Sequence, residues 1–193
     1  MKGFRLDARR REWPRGGRYR PVELYPLDGY RRVVSVNIET RTFGPGDDSL
    51  VEAAWDLKER IRGDEGVLKQ RRGFFVDAYR RSTVYALVER GVEEQLVGFA
   101  ATRRDGYILF LAVDPDYRGE GFGECLVAEV ADEHSSVSCH ARTTNRNALE
   151  FYEHVGFEVK RRVEGYYEDR GDAYYLTLGE DGIRDRLSRF VRR

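Results

Sequence analysis

Residues 106–130 read GYILFLAVDPDYRGEGFGECLVAEV, and the rest of the chain is interpreted from this stretch. Residues 108–113 form a short continuous apolar run, which is typical of a strand buried on both faces. Asp114-Pro115-Asp116 ends that strand, because proline cannot donate a hydrogen bond to a sheet. A glycine-rich turn follows, and then apolar positions with helical spacing at Leu126, Val127 and Val130. The stretch therefore predicts a strand, a turn and a helix in succession.

The turn, Arg118-Gly119-Glu120-Gly121-Phe122-Gly123, has the chemistry of an anion site. Glycines let the backbone approach a ligand closely, and the first amides of a helix are unpaired donors with a partial positive charge. Arg118 adds a planar cation that suits phosphate. The spacing matches neither a Walker loop nor the glycine fingerprint of a Rossmann turn. The turn predicts a site for an anion such as a pyrophosphate, and the alternative is a helix entry without a ligand.

A second motif follows the turn, with the pattern N-x-x-A-x-x-x-Y-x-x-x-G-F at Asn145, Ala148, Tyr152, Gly156 and Phe157. It resembles one signature of the GNAT superfamily of N-acetyltransferases. The superfamily's acyl-CoA loop, Arg/Gln-x-x-Gly-x-Gly/Ala, resembles the turn at Arg118, Gly121 and Gly123. The C-terminal half of the chain is most similar to the ribosomal-protein alanine N-acetyltransferases.

Apolar periodicity predicts seven strands and four helices. The strands are expected at residues 33–41, 83–89, 96–104, 108–113, 136–142, 157–167 and 173–178. The helices are expected at residues 50–62 (after the N-cap chemistry of residues 47–49), 67–81, after the glycine turn, and 146–155. The resemblance implies an α/β (α+β) GNAT fold. Its sheet is mixed and mostly antiparallel, with six to seven strands, a central splayed parallel pair, and helices on both faces.

Charge divides the chain of 193 residues into three expected parts, which are a basic extension (1–32), the acetyltransferase domain (33–180) and a basic tail (181–193). Residues 1–33 carry ten Arg/Lys against four Asp/Glu, which leaves 24 against 30 of the 34 of each sign for the remainder. The extension is expected to be disordered, and three interpretations stay open. It contacts nucleic acid or an acidic partner, it packs on the domain, or it is spurious sequence before a true start near Val33. The tail is expected to lie on the domain as a weakly amphipathic helix.

Composition also limits location and partners. Cys125 and Cys139 have no metal-site or disulfide spacing, which fits a reducing compartment. No apolar run reaches the length that spans a bilayer, and the N-terminus lacks an apolar signal core. We expect a cytoplasmic protein, a monomer or homodimer, with no membrane, metal or nucleic-acid partner.

The resemblance implies acetyl-CoA as the co-substrate and assigns residues to it. The pantetheine arm would pair with backbone groups of Leu111, Ala112 and Val113, of which the last would polarise the thioester carbonyl. The pyrophosphate would be held by residues of the turn: Arg118, Gly119, Glu120, Gly121, Phe122 and Gly123. Asn145 would hydrogen-bond the pantetheine amide.

Two residues are expected to carry the proton transfers. Tyr152, at the motif tyrosine, is the candidate general acid, and its alternative role is packing. The ribosomal-protein enzymes have a glutamate five residues before the motif asparagine, where this chain has His140. Alternation places His140 on the same face as Ser138 and Arg142, so it is the candidate base, with water as the alternative. Arg142 would instead orient a substrate carboxylate.

The acceptor is expected to be a primary amine, with a protein N-terminal α-amine as the first hypothesis. Tyr166 and Tyr167 would cover the acceptor cleft. Its other wall would be formed by Phe74, Phe75 and Tyr79, unless they belong to the core. A small-molecule amine (an amino acid, a polyamine or an amino-sugar) is the alternative acceptor. An acyl-CoA-binding sensor without turnover is the alternative from another functional class.

Overall fold

The computed structural model describes residues 37–178 of the chain. The predicted extension (1–32), the first residues of the predicted first strand, and the predicted tail (181–193) lie outside this range. The described part contains seven strands, four α-helices and one short 3₁₀ turn. The strands are β1 (Asn37–Phe43), β2 (Thr83–Arg90), β3 (Gln95–Thr102), β4 (Tyr107–Val113), β5 (Val137–Arg142), β6 (Glu158–Val163) and β7 (Ala173–Leu178). The helices are α1 (Val51–Glu65), α2 (Arg72–Arg80), α3 (Phe122–Glu133) and α4 (Arg146–Val155), and the 3₁₀ turn is Pro115–Tyr117.

All seven strands form one sheet in the order β1-β2-β3-β4-β5-β7-β6. Every neighbouring pair is antiparallel except β4 and β5. These two parallel strands pair only at Tyr107 with Ser138 and at Ile108 with Cys139, and then they diverge. The predicted mixed sheet with a central splayed parallel pair is confirmed.

Helices cover both faces of the sheet, as predicted. One core cluster joins α3 and α4 to the sheet through fully buried side chains such as Leu126, Val130 and Leu176. The other joins α1 and α2 to the opposite face through Ala54, Phe75 and similar residues. Alternation along the central strands supplies both faces, because successive side chains of a strand point to opposite sides.

Helix α1 differs from its prediction at both ends. The Asp47 carboxylate accepts hydrogen bonds from Ser49 N at 2.9 Å and Ser49 Oγ at 2.5 Å, which closes a turn before the helix. The helix itself begins at Val51, and its N-cap residue Leu50 makes no side-chain cap. It continues past the predicted end to Glu65, where Gly66 takes a left-handed conformation with φ of 69°. That conformation suits glycine at a helix C-terminus.

Helix α2 is shorter than predicted, because residues 67–71 do not join it. Leu68 has φ of 53°, which breaks any helical path through this segment. We call residues 67–70 the acceptor loop, because Lys69 contacts Asp169 in the segment whose Tyr166 and Tyr167 are expected to cover the acceptor cleft. The structure therefore replaces the first turns of a predicted helix with a loop that faces a cavity.

Strand β4 supplies buried side chains to both faces of the sheet, as its apolar run predicts, because Ile108 belongs to the α3–α4 cluster. Phe110 and Ala112 are buried against the α1–α2 cluster. Leu109, Leu111 and Val113 are only partly buried, because they line the cavity where β5 has diverged. An apolar run in the sequence does not distinguish a strand that lines a cavity from a strand that is fully covered by helices.

The predicted long strand at 157–167 is also shorter. Strand β6 ends at Val163, and residues 164–172 form turns before β7. Gly165 N donates to the Asp172 carboxylate at 2.9 Å, which holds the two ends of this connection together. Within residues 37–178, no helix combines the length and the apolar character that crossing a membrane requires.

Candidate active site

A cavity of about 760 Å³ opens where β4 and β5 diverge. Its walls come from the end of α1, the acceptor loop, β4, the glycine-rich turn, β5, the start of α4, and the β6–β7 connection. Diverging parallel strands leave backbone groups of both strands without a strand partner, so the cavity has polar walls as well as apolar ones. The two sequence motifs meet at this cavity although they are separated along the chain.

The glycine-rich turn forms one end of the cavity. Gly119 and Gly121 have φ of 81° and 83°, a conformation that side chains rarely adopt, and a Cβ on either would meet no atom within 4 Å. The first helical bond of α3 is donated by Cys125 N to Gly121 O at 3.0 Å, so the amides of residues 122–124 precede the helical hydrogen bonds. The turn lines the cavity, so these amides can form a cradle for an anion.

Arg118 lies beside this cradle but is already paired. Its guanidinium contacts Glu65 Oε1 at 2.5 Å, and its Nε donates to the Val113 carbonyl at 3.3 Å. Arg118 is still 40% exposed at its side chain, and both it and Glu65 line the cavity. Glu120 belongs to the turn but not to the cavity lining, so its predicted part is limited to its backbone amide.

Gly123 has a packing reason as well as a predicted ligand role. A Cβ at this position would lie 2.8 Å from Cε2 of Phe151, a distance that real contacts do not reach. The glycine therefore lets α3 approach α4 closely. Phe122, the preceding residue, lines the cavity and packs its ring against Tyr117.

The second motif is explained by the ends of α4. The side-chain oxygen Oδ1 of Asn145 accepts a hydrogen bond from Ala148 N at 3.1 Å, which caps the helix, and Asn145 also lines the cavity. Gly156 ends the helix with φ of 101°. Phe157 then folds back into the core, with its ring centroid 5.0 Å from that of Tyr152. Capping, the left-handed turn and this aromatic contact fix where Tyr152 points.

Tyr152 is 7% exposed and reaches the cavity from beneath. Burial, and after it the neighbouring Cys139 thiol, raise the pKa of Tyr152 well above 10. A phenol with a raised pKa stays protonated at neutral pH. Tyr152 can therefore donate a proton to an anion that forms in the cavity.

His140 lies in a cluster of tyrosines at the other end of the cavity. The Tyr107 hydroxyl is 2.8 Å from His140 Nδ1 and 2.9 Å from the Tyr166 hydroxyl. The His140 and Tyr166 rings stack, with centroids 4.0 Å apart and planes 8° apart. Burial, and then the charge of Arg161, lower the pKa of His140 below 6.5. His140 is therefore neutral at neutral pH and can accept a proton.

Arg142 is held by side chains of the β6–β7 connection. Its guanidinium lies 4.0 Å from the centre of the Tyr167 ring, and it pairs with Asp169 at 2.9 Å. The hydrogen bond from Arg142 is the main reason why the pKa of Asp169 is lowered to about 2. Asp169 also meets Lys69 of the acceptor loop at 3.3 Å, so this connection and the loop touch across the mouth of the cavity.

The prediction that Phe75 and Tyr79 form a wall of the acceptor cleft is wrong. Both side chains are in the core, 0% and 1% exposed, and neither lines the cavity. They point from α2 toward the sheet, where Phe75 packs against Phe110 with centroids 4.8 Å apart. Phe74, the third residue of the predicted wall, is 54% exposed and lines the cavity.

Sequence reasoning missed Tyr107 and the acceptor loop. The signal available for Tyr107 was an aromatic residue directly before the apolar run of β4. Nothing in the residue pattern marked residues 67–70, which fit a helix. Among residues 37–178, no cluster of three or more His, Cys, Asp or Glu side chains could hold a metal ion.

Comparisons with known proteins agree with this fold. The profile of the family described as an acetyltransferase (GNAT) domain matches residues 80–159. N-alpha-acetyltransferase 30 of Xenopus laevis is 40% identical over 80 residues, which cover 39% of this chain and 29% of that protein. The chain therefore spans less than one third of the length of that relative.

A second relative matches over most of its own length. Peptidyl-lysine N-acetyltransferase YjaB of Escherichia coli is 31% identical over 112 residues, which cover 53% of this chain and 75% of that protein. Among solved structures, the ribosomal-protein-S18-alanine N-acetyltransferase of Escherichia coli aligns with a TM-score of 0.58 and 24% identity, over 72% of this chain and 92% of that one. That likeness concerns the fold. The chain belongs to the GNAT family of acetyltransferases.

Proposed function

We propose that the protein transfers an acetyl group from acetyl-CoA to a primary amine, and that this amine is the α-amine of a protein N-terminus. One observation carries the proposal. The opening between β4 and β5 lies between an anion cradle at one end and the paired His140 and Tyr107 at the other, with Tyr152 reaching the cavity from beneath. A donor with a phosphate group and a reactive thioester fits that order of groups.

The chain's own residues would hold the donor in an extended form. From Leu109 onward, the β5-facing edge of β4 has no strand partner within the described residues, so it can pair with the amide groups of a pantetheine arm. The backbone groups of Leu111, Ala112 and Val113 belong to this edge. The amides and Arg118 of the turn would bind the pyrophosphate, in the space that a Cβ at Gly119 or Gly121 would enter. Asn145 would contact the pantetheine from the start of α4.

His140 would accept the proton that the ammonium form of the acceptor loses. For Nε2 to accept it, Nδ1 must carry the hydrogen and donate it to the Tyr107 oxygen. The Tyr107 hydroxyl then donates to Tyr166, 2.9 Å away. The amine nitrogen would attack the thioester carbonyl carbon, the carbon–sulfur bond would break, and Tyr152 would donate its proton to the sulfur. The acylated nitrogen would then lose its second proton to the Tyr152 oxygen through solvent, which leaves a neutral amide and restores the phenol. The oxygen of the thioester carbonyl would be stabilised by the Val113 amide.

The lowered pKa of His140 favours an α-amine as the acceptor. An α-amino group titrates at about 7.7–8.0 and a lysine side chain at about 10.4. A fair fraction of the first is neutral near neutral pH, so a weak base suffices. Tyr166, which is 42% exposed, and Tyr167 would contact the peptide chain that follows the amine.

A lysine side chain is the second candidate acceptor, because the relative that matches over most of its length is named a peptidyl-lysine N-acetyltransferase. Three acceptor pools separate the possibilities: peptides with free N-termini and no lysine, N-terminally blocked peptides with an internal lysine, and small amines. The measurement is release of the CoA thiol from acetyl-CoA. Release with the first pool alone supports the proposal.

The other results decide against the N-terminal acceptor in specific ways. Release of the CoA thiol with N-terminally blocked lysine peptides would show that the protein is a lysine acetyltransferase. Release with small amines alone would show that its substrate is a small metabolite. Tight acetyl-CoA binding without release in any pool leaves the sensor hypothesis. Absence of acetyl-CoA binding contradicts the assignment of the turn.

A further inference from the structure

Lys58, in the middle of α1, is 0% exposed. Lysine is almost never fully buried without a partner. Its ammonium donates to the backbone carbonyl oxygen of Gln70 at 2.7 Å and pairs with Glu59 Oε1 at 2.7 Å. It also lies 4.3 Å from the centre of the Trp55 ring. Three different interactions therefore compensate for the loss of water around one buried charge.

The bond to Gln70 reaches the acceptor loop, because residues 67–70 all line the cavity. Leu68 within the loop has φ of 53°, a conformation that is costly for a residue with a Cβ. A strained residue persists only when its surroundings hold it. Lys58 supplies such a restraint from beneath the loop, while the contact of Lys69 with Asp169 restrains it from above.

The restrained loop also presents a polar atom near the cavity. The side-chain oxygen of Gln70 is buried and has no hydrogen-bond partner among the described residues. Gln70 lines the same cavity as Tyr166 and Tyr167. A buried carbonyl oxygen without a partner is costly, and an N–H group of a ligand would relieve that cost.

We propose that Lys58 is a positioning residue for acceptor binding. It holds the acceptor loop through the backbone carbonyl of Gln70, so that the side-chain oxygen of Gln70 can accept a hydrogen bond from an N–H of the acceptor. The inference rests on the proposed function. It assigns to a residue outside the cavity an effect on the acceptor and none on acetyl-CoA, because the contacts of Lys58 are with Gln70, Glu59 and Trp55 and not with residues expected to bind acetyl-CoA.

Removing one partner of an ion pair destabilises a fold strongly when it leaves the other charge buried and unpaired. Glu59 is 28% exposed and also pairs with Arg62 at 2.9 Å, so its carboxylate keeps a partner when the Lys58 ammonium is removed. What an ammonium adds over a methionine at this position is a directed bond to one carbonyl of the loop. Lys58→Met therefore separates the restraint of the loop from the packing of α1.

The experiment compares wild type, Lys58→Met and the control Lys160→Met. Lys160 also pairs with a nearby glutamate, Glu158 at 2.6 Å, but is 50% exposed and lies on β6. Amide hydrogen exchange over residues 66–71 reports the loop without requiring activity. Steady-state kinetics give KM for the acceptor and kcat, and calorimetry gives the Kd of acetyl-CoA.

In Lys58→Met we expect exchange over residues 66–71 to accelerate about tenfold or more, because hydrogen bonds to charged groups are the stronger ones. We expect KM for the acceptor to rise about fivefold or more, as loss of an ordered binding wall implies. The Kd of acetyl-CoA and kcat should change less than about twofold to threefold, since neither the donor site nor the reacting groups contact Lys58. Lys160→Met should match wild type.

Faster exchange with an unchanged acceptor KM would overturn the proposal, because Lys58 would then be structural only. Unchanged exchange would also overturn it. If Lys58→Met does not fold, Lys58→Gln keeps a donor without the charge and should give intermediate exchange and an intermediate KM; wild-type values for both would contradict the inference. A wild-type protein that acetylates no amine refutes the proposed function, whereas an active wild type with an unaffected variant refutes this inference alone.

Discussion

Tyr107→Phe tests the proton-transfer arrangement most directly. The substitution keeps the ring, which is partly buried at the start of β4, and removes only the hydroxyl. That hydroxyl is 2.8 Å from His140 Nδ1 and 2.9 Å from the Tyr166 hydroxyl. Without it, the Nδ1 hydrogen of His140 loses its acceptor, and the tautomer with Nε2 free to take a proton is no longer favoured.

The size of the effect follows from that lost contact. Leaving a buried donor without a partner costs about 1–3 kcal/mol. If the whole cost falls on the reactive tautomer, kcat/KM decreases by about 5-fold to 150-fold. His140 is only partly buried, so water can replace part of the contact, and we expect about 10-fold to 30-fold. The stacking of Tyr166 on His140 remains, which keeps the ring in place.

The assay is kcat/KM with a saturating acetyl-CoA concentration, together with the ¹⁵N chemical shifts of the His140 ring, which report the tautomer. Tyr175→Phe is the matched control, since Tyr175 contacts His140 through its ring, with centroids 5.1 Å apart. The control should retain wild-type turnover and tautomer. Wild-type turnover in Tyr107→Phe would refute the reasoning, and so would a lowered turnover with an unchanged tautomer.

Three further predictions concern the donor and the two proton-transfer groups. Gly121→Glu should abolish acetyl-CoA binding measured by calorimetry, because its side chain would enter the anion cradle; Gly46→Glu, also at positive φ and facing open space but outside the cavity, should bind normally. Tyr152→Phe should lower turnover about 10²-fold or more with an unchanged Kd for acetyl-CoA, and unchanged turnover would leave Tyr152 a packing residue only. Arg161→Gln should raise the pKa of His140 in an NMR titration, because the Arg161 charge lowers that pKa, and an unchanged pKa would contradict this cause.

The lowered pKa of His140 also makes the stability of the fold depend on pH. A folded-state pKa below the unfolded value of 6.5 means that the unfolded chain binds the proton more readily. The contribution to stability is therefore present above about pH 6.5 and is lost as the pH falls through the lowered folded value. Activity that depends on neutral His140 decreases over the same acidic range.

Much of the fold was predictable because its signals are local. The apolar run of β4, the glycines of the turn and the N-x-x-A-x-x-x-Y-x-x-x-G-F motif each report on a few consecutive residues. Helix α4 begins and ends where predicted, since Asn145 and Gly156 carry its capping geometry in their own chemistry. The face of β5 that carries His140 was also predictable, because alternation requires no knowledge of the neighbouring strands.

Predictions failed where burial depends on what the rest of the chain supplies. The apolar pattern of α2 does not distinguish Phe74 from Phe75, because the orientation of the helix relative to the sheet decides which of the two rings faces the core. Residues 67–70 have helical propensity, yet the buried ammonium of Lys58 and the contact of Lys69 with Asp169 hold them as a loop. Local propensity is weak, and such tertiary contacts override it.

The sequence by itself determined the order of the elements, the glycine-rich turn and the family, because these depend on backbone conformation and spacing within short segments. Only the tertiary structure decided which side chains share the cavity. Tyr107, His140 and Tyr166 come from three separate elements, and their hydroxyl and ring contacts exist only after β4, β5 and the β6–β7 connection meet. Distances between residues remote in sequence are set by the packing of the whole sheet, which no single segment encodes.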